Sequence, residues 1–498
     1  MGLRTVVKKL IPKKLFRRIE PYGHLGEAVL FNTLNGFPAS GLKVIGVTGT
    51  NGKTSTCFLI HRMMVEAGYN VGLMTTVGYG VGNNIRPQIH HMTNVTVPEL
   101  MRRLKWFKRE GAEWLVLETT SHALAQNRVW GMPYSIAVMT NVTHEHLDYH
   151  NTFKNYRDAK RQLFKIANRN KKGLRAGVIN AEDPSAELFI SDIAKPITYG
   201  IKKGDMRAKD IKMTPSGSNF TVALQGSALL QGRALQVRTN LPGSFNVYNT
   251  LAAVGVGMVL GLEPKQIEQG IAALDSVEGR MTSIDEGQDF GVVVDYAHTP
   301  DSFEKLFKDL REVMKGSRAS HLDAVQGSSE ERVSHADGTV SERQSVTDTA
   351  MRQESAGTAG SAGRQGKAMR GSGKLIVMFG SAGGQRDKLK RPVQGELAGK
   401  YADEVVLTEE DDRDTPGVEI LDSIAAGVEK AGKVRDKDLF LVHDRTEAIK
   451  FSLSRAQKGD TVLLLGKGHE KTIERADGEH PWDEIGITKA ALRQSLKK

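Results

Sequence analysis

Cysteine is almost absent from this chain of 498 residues. The single thiol, Cys57, excludes a disulfide framework, a multi-cysteine zinc site and an iron–sulfur cluster, and it fits a reducing compartment. Placed inside a helical stretch, it reads as a small packed residue rather than a nucleophile. Long hydrophobic runs are missing as well. No stretch of about 20 apolar residues occurs, and the longest uncharged run, 239–262, is interrupted by Asn240, Asn246 and Asn249 and predicts a buried helix with its entry loop. The front of the chain lacks the continuous apolar core of a secretory signal, so a cytoplasmic location is expected. No internal repeat is visible.

Positive charge is in excess but not spread. The net charge is +11, from 69 basic and 58 acidic residues, and Arg4, Lys8, Lys9, Lys13, Lys14, Arg17 and Arg18 all precede the first acid, Glu20. A short basic leader on a nearly balanced chain is not the broad basic face with interleaved aromatics that nucleic acid requires, so no nucleic-acid partner is expected. The segment 3–30 mixes these cations with Val, Leu, Ile and Phe, which permits peripheral membrane contact through the basic N-terminus; a packed, solvated arm is the alternative. Pro12 and Pro21 predict that no single long helix runs through it.

What is present is enough apolar material for several cores: 39% of residues are hydrophobic and 26% charged, which at this length points to two or three domains. Runs of Val, Ile and Leu at 43–47, 114–118, 136–140, 176–180, 404–408, 439–442 and 461–465 alternate with amphipathic helical patterns. Continuous rather than alternating runs indicate parallel strands covered on both faces, an α/β architecture. Residues 316–373 break the pattern with Ser, Gly, Ala, Gln, Arg and Glu. Such a composition buries too little surface to offset ordering entropy, so it reads as a disordered insert between a helix over 302–314 and a strand over 375–379.

The strongest local signal is a strand, 43–47, running into Gly49-Thr50-Asn51-Gly52-Lys53-Thr54-Ser55 and then a helix ending near Gly68. Glycines 46, 49 and 52 would let the backbone wrap a phosphate, the helix N-terminus would aim amides at it, Lys53 would neutralise charge and Thr54 would hold Mg²⁺. Valine stands at position 47, where the strict P-loop pattern calls for glycine. Glu118 closes the strand 114–118, at the carboxyl edge where α/β sheets bind ligands, and suits a Mg²⁺ role; the alternative is an acid satisfying the dipole of the next helix. His144, Glu145, His146, Asp148 and His150 fall within seven residues and suit a divalent metal held by oxygen and imidazole. Lys160 alone reads as a surface lysine. Asn249 is either a helix cap or a group meeting a base edge, and Arg280 and Asp295 flank the domain boundary expected near 280.

Taken in order, these motifs resemble the Mur ligase family, specifically the branch that adds the third amino acid to a UDP-N-acetylmuramoyl-dipeptide. The resemblance runs from 43 to the C-terminus apart from the insert. It rests on Gly49 to Thr54, Thr96-Val-Pro98-Glu99, Glu118 with Ser121-His122, His146-Leu-Asp148-Tyr-His150, Ala159-Lys160, and Asn246 with Asn249. Gly279-Arg280, Asp295 to Pro300, Arg386-Asp-Lys388 with Lys390-Arg391-Pro392, and Gly466 to Glu470 complete it. Folylpolyglutamate synthetases share the architecture but not the last of these motifs.

The resemblance implies two Rossmann-like domains, 41–280 binding ATP and 281–498 binding the amino acid, behind a short basic segment, 1–40. It implies an ATP-dependent amide ligase acting through an acyl phosphate in peptidoglycan precursor synthesis, as a monomer with small-molecule substrates. Lys53 and Mg²⁺ would neutralise the transferring phosphoryl group, while Glu118, His146 and a carbamoylated Lys160 would hold metal. Asn249, Arg280 and Asp295 would hold adenosine; Thr96, Ser121 and Arg128 the acceptor; and Arg386, Asp411, Arg413, Gly466 and Glu470 the amino acid. Where diaminopimelate-adding members carry Asp-Asn-Pro-Arg, this chain carries Glu410-Asp411-Asp412-Arg413, which suits a side-chain amine such as that of lysine; an exposed acidic loop is the alternative. Members also carry a uridine-binding front domain of roughly a hundred residues, and only 42 residues precede Lys43. Reduced uridine recognition, a lipid-linked or nucleotide-free acceptor, or a non-catalytic ATP-binding partner are the readings this leaves open.

Overall fold

The computed structural model describes residues 13–88, 93–214, 216–224, 234–314, 373–384 and 388–496, without the side chains of 13–18, 147 and 148. The insert expected at 316–373 therefore lies, apart from Gly373, outside the described residues, as does Arg386.

Two sheets organise the chain. The first holds β1 (Lys43–Thr48), β2 (Val71–Met74), β3 (Gly78–Val81), β4 (Asn84–Pro87), β5 (Trp114–Glu118), β6 (Tyr134–Met139), β7 (Ala176–Asn180), β8 (Lys195–Gly200), β9 (Met206–Thr214), β10 (Gly217–Leu224) and β11 (Leu235–Thr239). Their order is β11-β10-β9-β8-β7-β6-β1-β5-β2-β3-β4. The centre is parallel, and antiparallel strands finish both edges. The second sheet holds β12 (Thr282–Ser283), β13 (Gly291–Asp295), β14 (Leu375–Phe379), β15 (Glu404–Leu407), β16 (Leu439–Leu441) and β17 (Thr461–Leu465), ordered β12-β13-β17-β14-β15-β16 and parallel except for β12. A hairpin, β18 (Thr472–Arg475) with β19 (Gly478–Pro481), follows.

Each sheet is covered on both faces, as its continuous apolar runs require. In β1, Ile45 and Val47 face the helices Lys53–Glu66 and Ser244–Leu260, while Val44 faces the layer built on Val97–Arg109 and Phe153–Arg169. The uncharged run thus forms the buried helix expected, ending at Gly261 with φ 71°. Gly46 departs from expectation. It lies inside β1, where a Cβ would come within 2.6 Å of Leu163 and 2.7 Å of Tyr134, so it serves strand–helix packing and not the phosphate loop.

The front of the chain also departs. A single helix, Lys13–Leu34, runs straight through Pro21. Proline removes one intrahelical donor, but the helix is fixed by tertiary contacts: Ala28 and Asn32 are buried, Asn32 Nδ2 donates to Ala28 O (2.8 Å) and Trp130 O (3.2 Å), and the Pro21 carbonyl accepts from Asn127. Its inner face lies against the helix Val97–Arg109.

His61 is buried in the helix Lys53–Glu66 with Nε2 3.1 Å from Val71 O. Burial pushes it down to about 4 from its ordinary 6.5. Between those values the unfolded chain binds a proton that the folded one does not, so stability falls as pH falls. Lowering pH from 7 to 5 should cost about 2 kcal/mol through His61. His122, pushed down to about 3 by burial and the nearby His146, acts in the same direction. Denaturant unfolding at both pH values should show this loss, and His61→Gln should shrink the pH difference.

Candidate active site

Because parallel strands end at a common edge, the loops after β1, β5 and β6 meet those after β13, β15 and β17 around one cleft of about 1250 Å³. Thr50, Asn51, Gly52, Lys53, Thr54 and Ser55 line one wall. The loop's shape depends on glycine at two points. A Cβ on Gly52, whose φ is 81°, would lie 2.2 Å from Asn249 Oδ1, and one on Gly49 would lie 1.8 Å from Thr140 Oγ1. Thr50 and Asn51 donate their backbone N–H groups to Asn141 O (2.8 Å) and Oδ1 (2.9 Å). Lys53 Nζ folds back onto Thr50 O at 2.7 Å, within the loop it would help to charge.

Thr54 Oγ1 donates to Glu118 Oε2 at 2.9 Å, and Thr76 N donates to the same oxygen at 3.0 Å. Glu118 therefore addresses the loop and not a helix dipole; the following helix is capped by Thr120. A hydroxyl and a carboxylate oxygen side by side next to Lys53 are hard oxygen donors of the kind Mg²⁺ takes, so this pair fits the ion.

The histidine-rich run does not converge as one group. His144 stacks on Phe153 (4.6 Å), His150 is buried with Nε2 3.1 Å from Ser121 Oγ, and His146 packs edge-on to His122 (4.7 Å) and faces the cleft. An irregular loop and the single turn Leu147–His150 send these side chains in different directions. Glu145, one member of that run, is the hub. It lies 3.6 Å from His146 and from His298, and Tyr156 donates to it at 3.3 Å. Burial alone would raise its carboxyl, but His146, His298 and Lys53 hold it well below the usual carboxylate range.

Lys160 is not a surface lysine. It is 2% exposed, lies behind the loop rather than on the cleft wall, and donates to Gly49 O at 2.6 Å. Burial, reinforced by Lys53, pushes its amine well below the usual lysine range against the pull of Glu145 and Glu118. Asn249 is no cap, since Gly243 holds that position; its Oδ1 accepts from Thr56 (3.3 Å) and its Nδ2 donates to Asn246 (2.9 Å) behind Gly52. Thr96 and Arg128 line the cleft, and Ser121 is buried outside its lining.

From the second sheet, Arg280 reaches Thr54 Oγ1 at 3.3 Å while stacking on Tyr296 (4.5 Å). Asp295 lines the cleft but spends both oxygens on backbone N–H groups of Met281 (2.8 Å) and Ala297 (2.7 Å). Asn51 donates across the cleft to Asp301 at 2.8 Å. Glu410, Asp411, Arg413, Gly466 and Glu470 form the far wall. Glu409, Glu410, Asp411 and Asp412 are all buried, which overturns the exposed acidic loop. Asp411 and Glu470 share the buried Lys467 (2.9 and 2.5 Å), Arg413 donates to Glu474 at 2.6 Å, and Glu410 Oε2 has no hydrogen-bond partner among the described residues. Sequence reasoning passed over Lys467, Tyr296 and Asp301, although each sits inside or beside a motif it had marked.

Residues 47–257 match the Mur ligase middle domain and 338–468 match the Mur ligase, glutamate ligase domain. The chain is 34% identical over 483 residues to UDP-N-acetylmuramoyl-L-alanyl-D-glutamate–2,6-diaminopimelate ligase of Geobacillus thermodenitrificans, covering 96% of this chain and 84% of that one. The chain belongs to the Mur ligase family. A UDP-N-acetylmuramyl-tripeptide synthetase of Treponema denticola is 36% identical over 462 residues, covering 90% of this chain and 75% of that one. Among solved structures, a UDP-N-acetylmuramoyl-L-alanyl-D-glutamate–2,6-diaminopimelate ligase aligns with TM-score 0.55 at 28% identity, over 92% of this chain and 79% of that one. Mycobacterium tuberculosis folylpolyglutamate synthase, complexed with ADP and AMPPCP, shares the fold at TM-score 0.61 and 14% identity, over 95% of each chain. The α/β architecture is thus that of Mur ligases.

In this Mur ligase, Gly52→Ala forces a side chain into the left-handed region and onto Asn249. Nucleotide affinity, measured by calorimetry, should fall at least about tenfold, since backbone strain of 1–3 kcal/mol adds to the clash.

Proposed function

We propose that the chain joins an amino acid to the peptide carboxylate of a UDP-N-acetylmuramoyl-peptide at the expense of ATP. The acceptor carboxylate oxygen attacks the γ-phosphorus as ADP leaves. The amine nitrogen then attacks the acyl carbon, losing a proton, as phosphate departs. The observation that carries this reading is the single cleft in which Lys53, Thr54 and Glu118 face Arg280 from one side and Glu410, Asp411 and Arg413 from the other. In this reading 41–280 supplies the ATP wall and 281–498 the amino-acid wall. Mg²⁺, held by Thr54, Glu118 and His146, would supply charge neutralisation to the phosphates. Lys53 and Arg280 would bind the same oxygens, and Asn249 and Asp295 would orient the adenosine side.

The amino-acid end favours a cationic side chain. Glu410 Oε2 is a buried carboxylate oxygen at the cleft wall with no hydrogen-bond partner among the described residues, and Gly466, where a Cβ would lie 2.8 Å from it, keeps the space open. An ammonium there would satisfy an oxygen whose isolation is costly. Lysine supplies that ammonium without the second carboxylate of diaminopimelate, which the buried acids Glu409 to Asp412 would repel. The chain acts as a monomer on small molecules, with peripheral membrane contact at its front segment.

Phosphate release should therefore require ATP, Mg²⁺, a muropeptide acceptor and an amino acid, with lysine preferred in an amino-acid panel. Parallel UDP-linked and nucleotide-free acceptors read out the nucleotide's contribution, and ATP binding without turnover under every combination would make the chain a non-catalytic binder. Lys53→Ala should lower kcat on the order of 10²–10³-fold, the scale of one lost transition-state charge contact.

Lys160 would act as a carbamate. Its neutral amine attacks CO₂, forming an N–C bond as one C–O π bond opens and a proton is lost, and so places an anion near the metal-binding side chains. Wild-type enzyme in ¹³C-bicarbonate should show a carbamate resonance that Lys160→Ala lacks, and short carboxylic acids should partly restore that variant's activity. Full activity in unsupplemented Lys160→Ala would exclude the role.

A further inference from the structure

A helix packed on a domain ordinarily shows solvent its charged face. The arm Lys13–Leu34 does the opposite from residue 19 onward. Its exposed positions carry Ile19, Tyr22, Val29, Leu30 and Leu34, with Gly23, Gly26 and Thr33 between them, and no charged residue. Tyr22 is 75% exposed and Leu34 71%. The acids of this stretch, Glu20 and Glu27, are turned toward His24 at the cleft, where Glu27 lies 3.3 Å from His24 Nδ1. Past the helix, the stripe continues into Phe37, whose ring pairs with Trp130 at 6.3 Å, both partly exposed.

Cations mark both ends of this stripe. Arg17 and Arg18 precede it in sequence. At the other end, the turn through Asn35, Gly36 and Pro38 and the helix Val97–Arg109 enclose a recess of about 620 Å³ walled by Arg102, Lys105, Lys108 and Arg109. Glu99 neutralises Arg102 through two bonds of 2.7 Å, and Glu110 accepts from Trp106. Among the described residues no ion pair neutralises Lys105, Lys108 or Arg109.

We propose that this face, the apolar stripe of the arm together with the basic recess, docks on an anionic lipid surface. The stripe supplies apolar residues to the headgroup boundary and the recess meets the lipid phosphates. A second copy fits poorly, because the exposed positions of the stripe carry no acid to meet the cations of the recess. The inference rests on the peripheral contact proposed for the front of the chain and assigns it a surface and a lipid charge; it is independent of the amide-ligase chemistry.

Flotation of the full chain with phosphatidylglycerol-containing vesicles tests it, with pure phosphatidylcholine vesicles in parallel. Binding should require the anionic lipid and weaken with salt. Leu30→Glu with Leu34→Glu, and separately Lys105→Glu with Lys108→Glu, should each lower partitioning by about tenfold or more while phosphate release from soluble substrates stays within about twofold. Unchanged thermal melts keep the comparison valid, and a more conservative pair, Leu30→Ser with Leu34→Ser, replaces the first variant if it unfolds. Binding kept by these variants but lost on deleting residues 2–12 overturns the face and leaves the leader contact standing. Equal binding to both vesicles, or none, overturns both. A doubled mass in light scattering that the leucine variants abolish, without vesicle binding, assigns the face to a second copy instead.

Discussion

The pairing of β1 between β5 and β6 is the constraint on which the rest of the site depends. All three strands run parallel, so their carboxyl ends deliver Gly49 to Thr54, Glu118 and Thr140 to His146 to one edge. Close packing then removes most of the freedom left to the loop. Gly49 is pressed against Thr140 and Gly52 against Asn249, so the loop's shape is determined by a strand end on one side and by a helix some two hundred residues later in sequence on the other. A loop held this way offers its amides without reorganising, which is the condition under which electrostatic stabilisation is most effective.

Charge across the cleft is arranged by sign. The wall built on the loop after β1 concentrates cations, Lys53 and Arg280, around the Thr54–Glu118 pair, whereas the far wall concentrates acids that the buried Lys467 only partly balances. The two walls also touch directly. Asn51 meets Asp301, Glu145 meets His298, and Asp309 accepts from Ser244 N (2.6 Å) and Oγ (2.8 Å) at the start of the helix that carries Asn249. These contacts join the glycine loop and its supporting helix to the unit that carries the acidic wall.

The acidic run is held from behind by a buried ion pair. Arg445 and Glu484, both fully buried, bond each other at 2.7 Å, and Arg445 also donates to the carbonyls of Glu409 (2.9 Å) and Leu465 (2.7 Å). That single guanidinium ties together the ends of β15 and β17 and so places Glu410 beside Gly466. Glu409 is in turn held by Arg475 of β18. A buried ion pair of this kind contributes little net stability, but losing one partner strands the other, so it acts chiefly to hold geometry.

The α/β class, the phosphate loop and the buried helix 244–260 were legible in the sequence because each depends on local patterning: apolar period, glycine spacing and the order of elements. The strand runs 114–118, 176–180, 375–379 and 461–465 match the observed strands end to end. What the sequence could not carry was direction and depth. Local pattern left an exposed loop open for the acidic run and, taken alone, made Lys160 a surface lysine; both are buried, because partners distant in sequence enclose them. The run 144–150 looked like one metal cluster and is dispersed, because proximity along a loop does not set where side chains point. Gly46 looked like part of the phosphate loop and instead makes room for Leu163 and Tyr134. Pro21 looked like a helix breaker, yet contacts with Trp130 and Asn127 hold the helix through it. Those outcomes were decided by packing between distant segments, which no local pattern encodes.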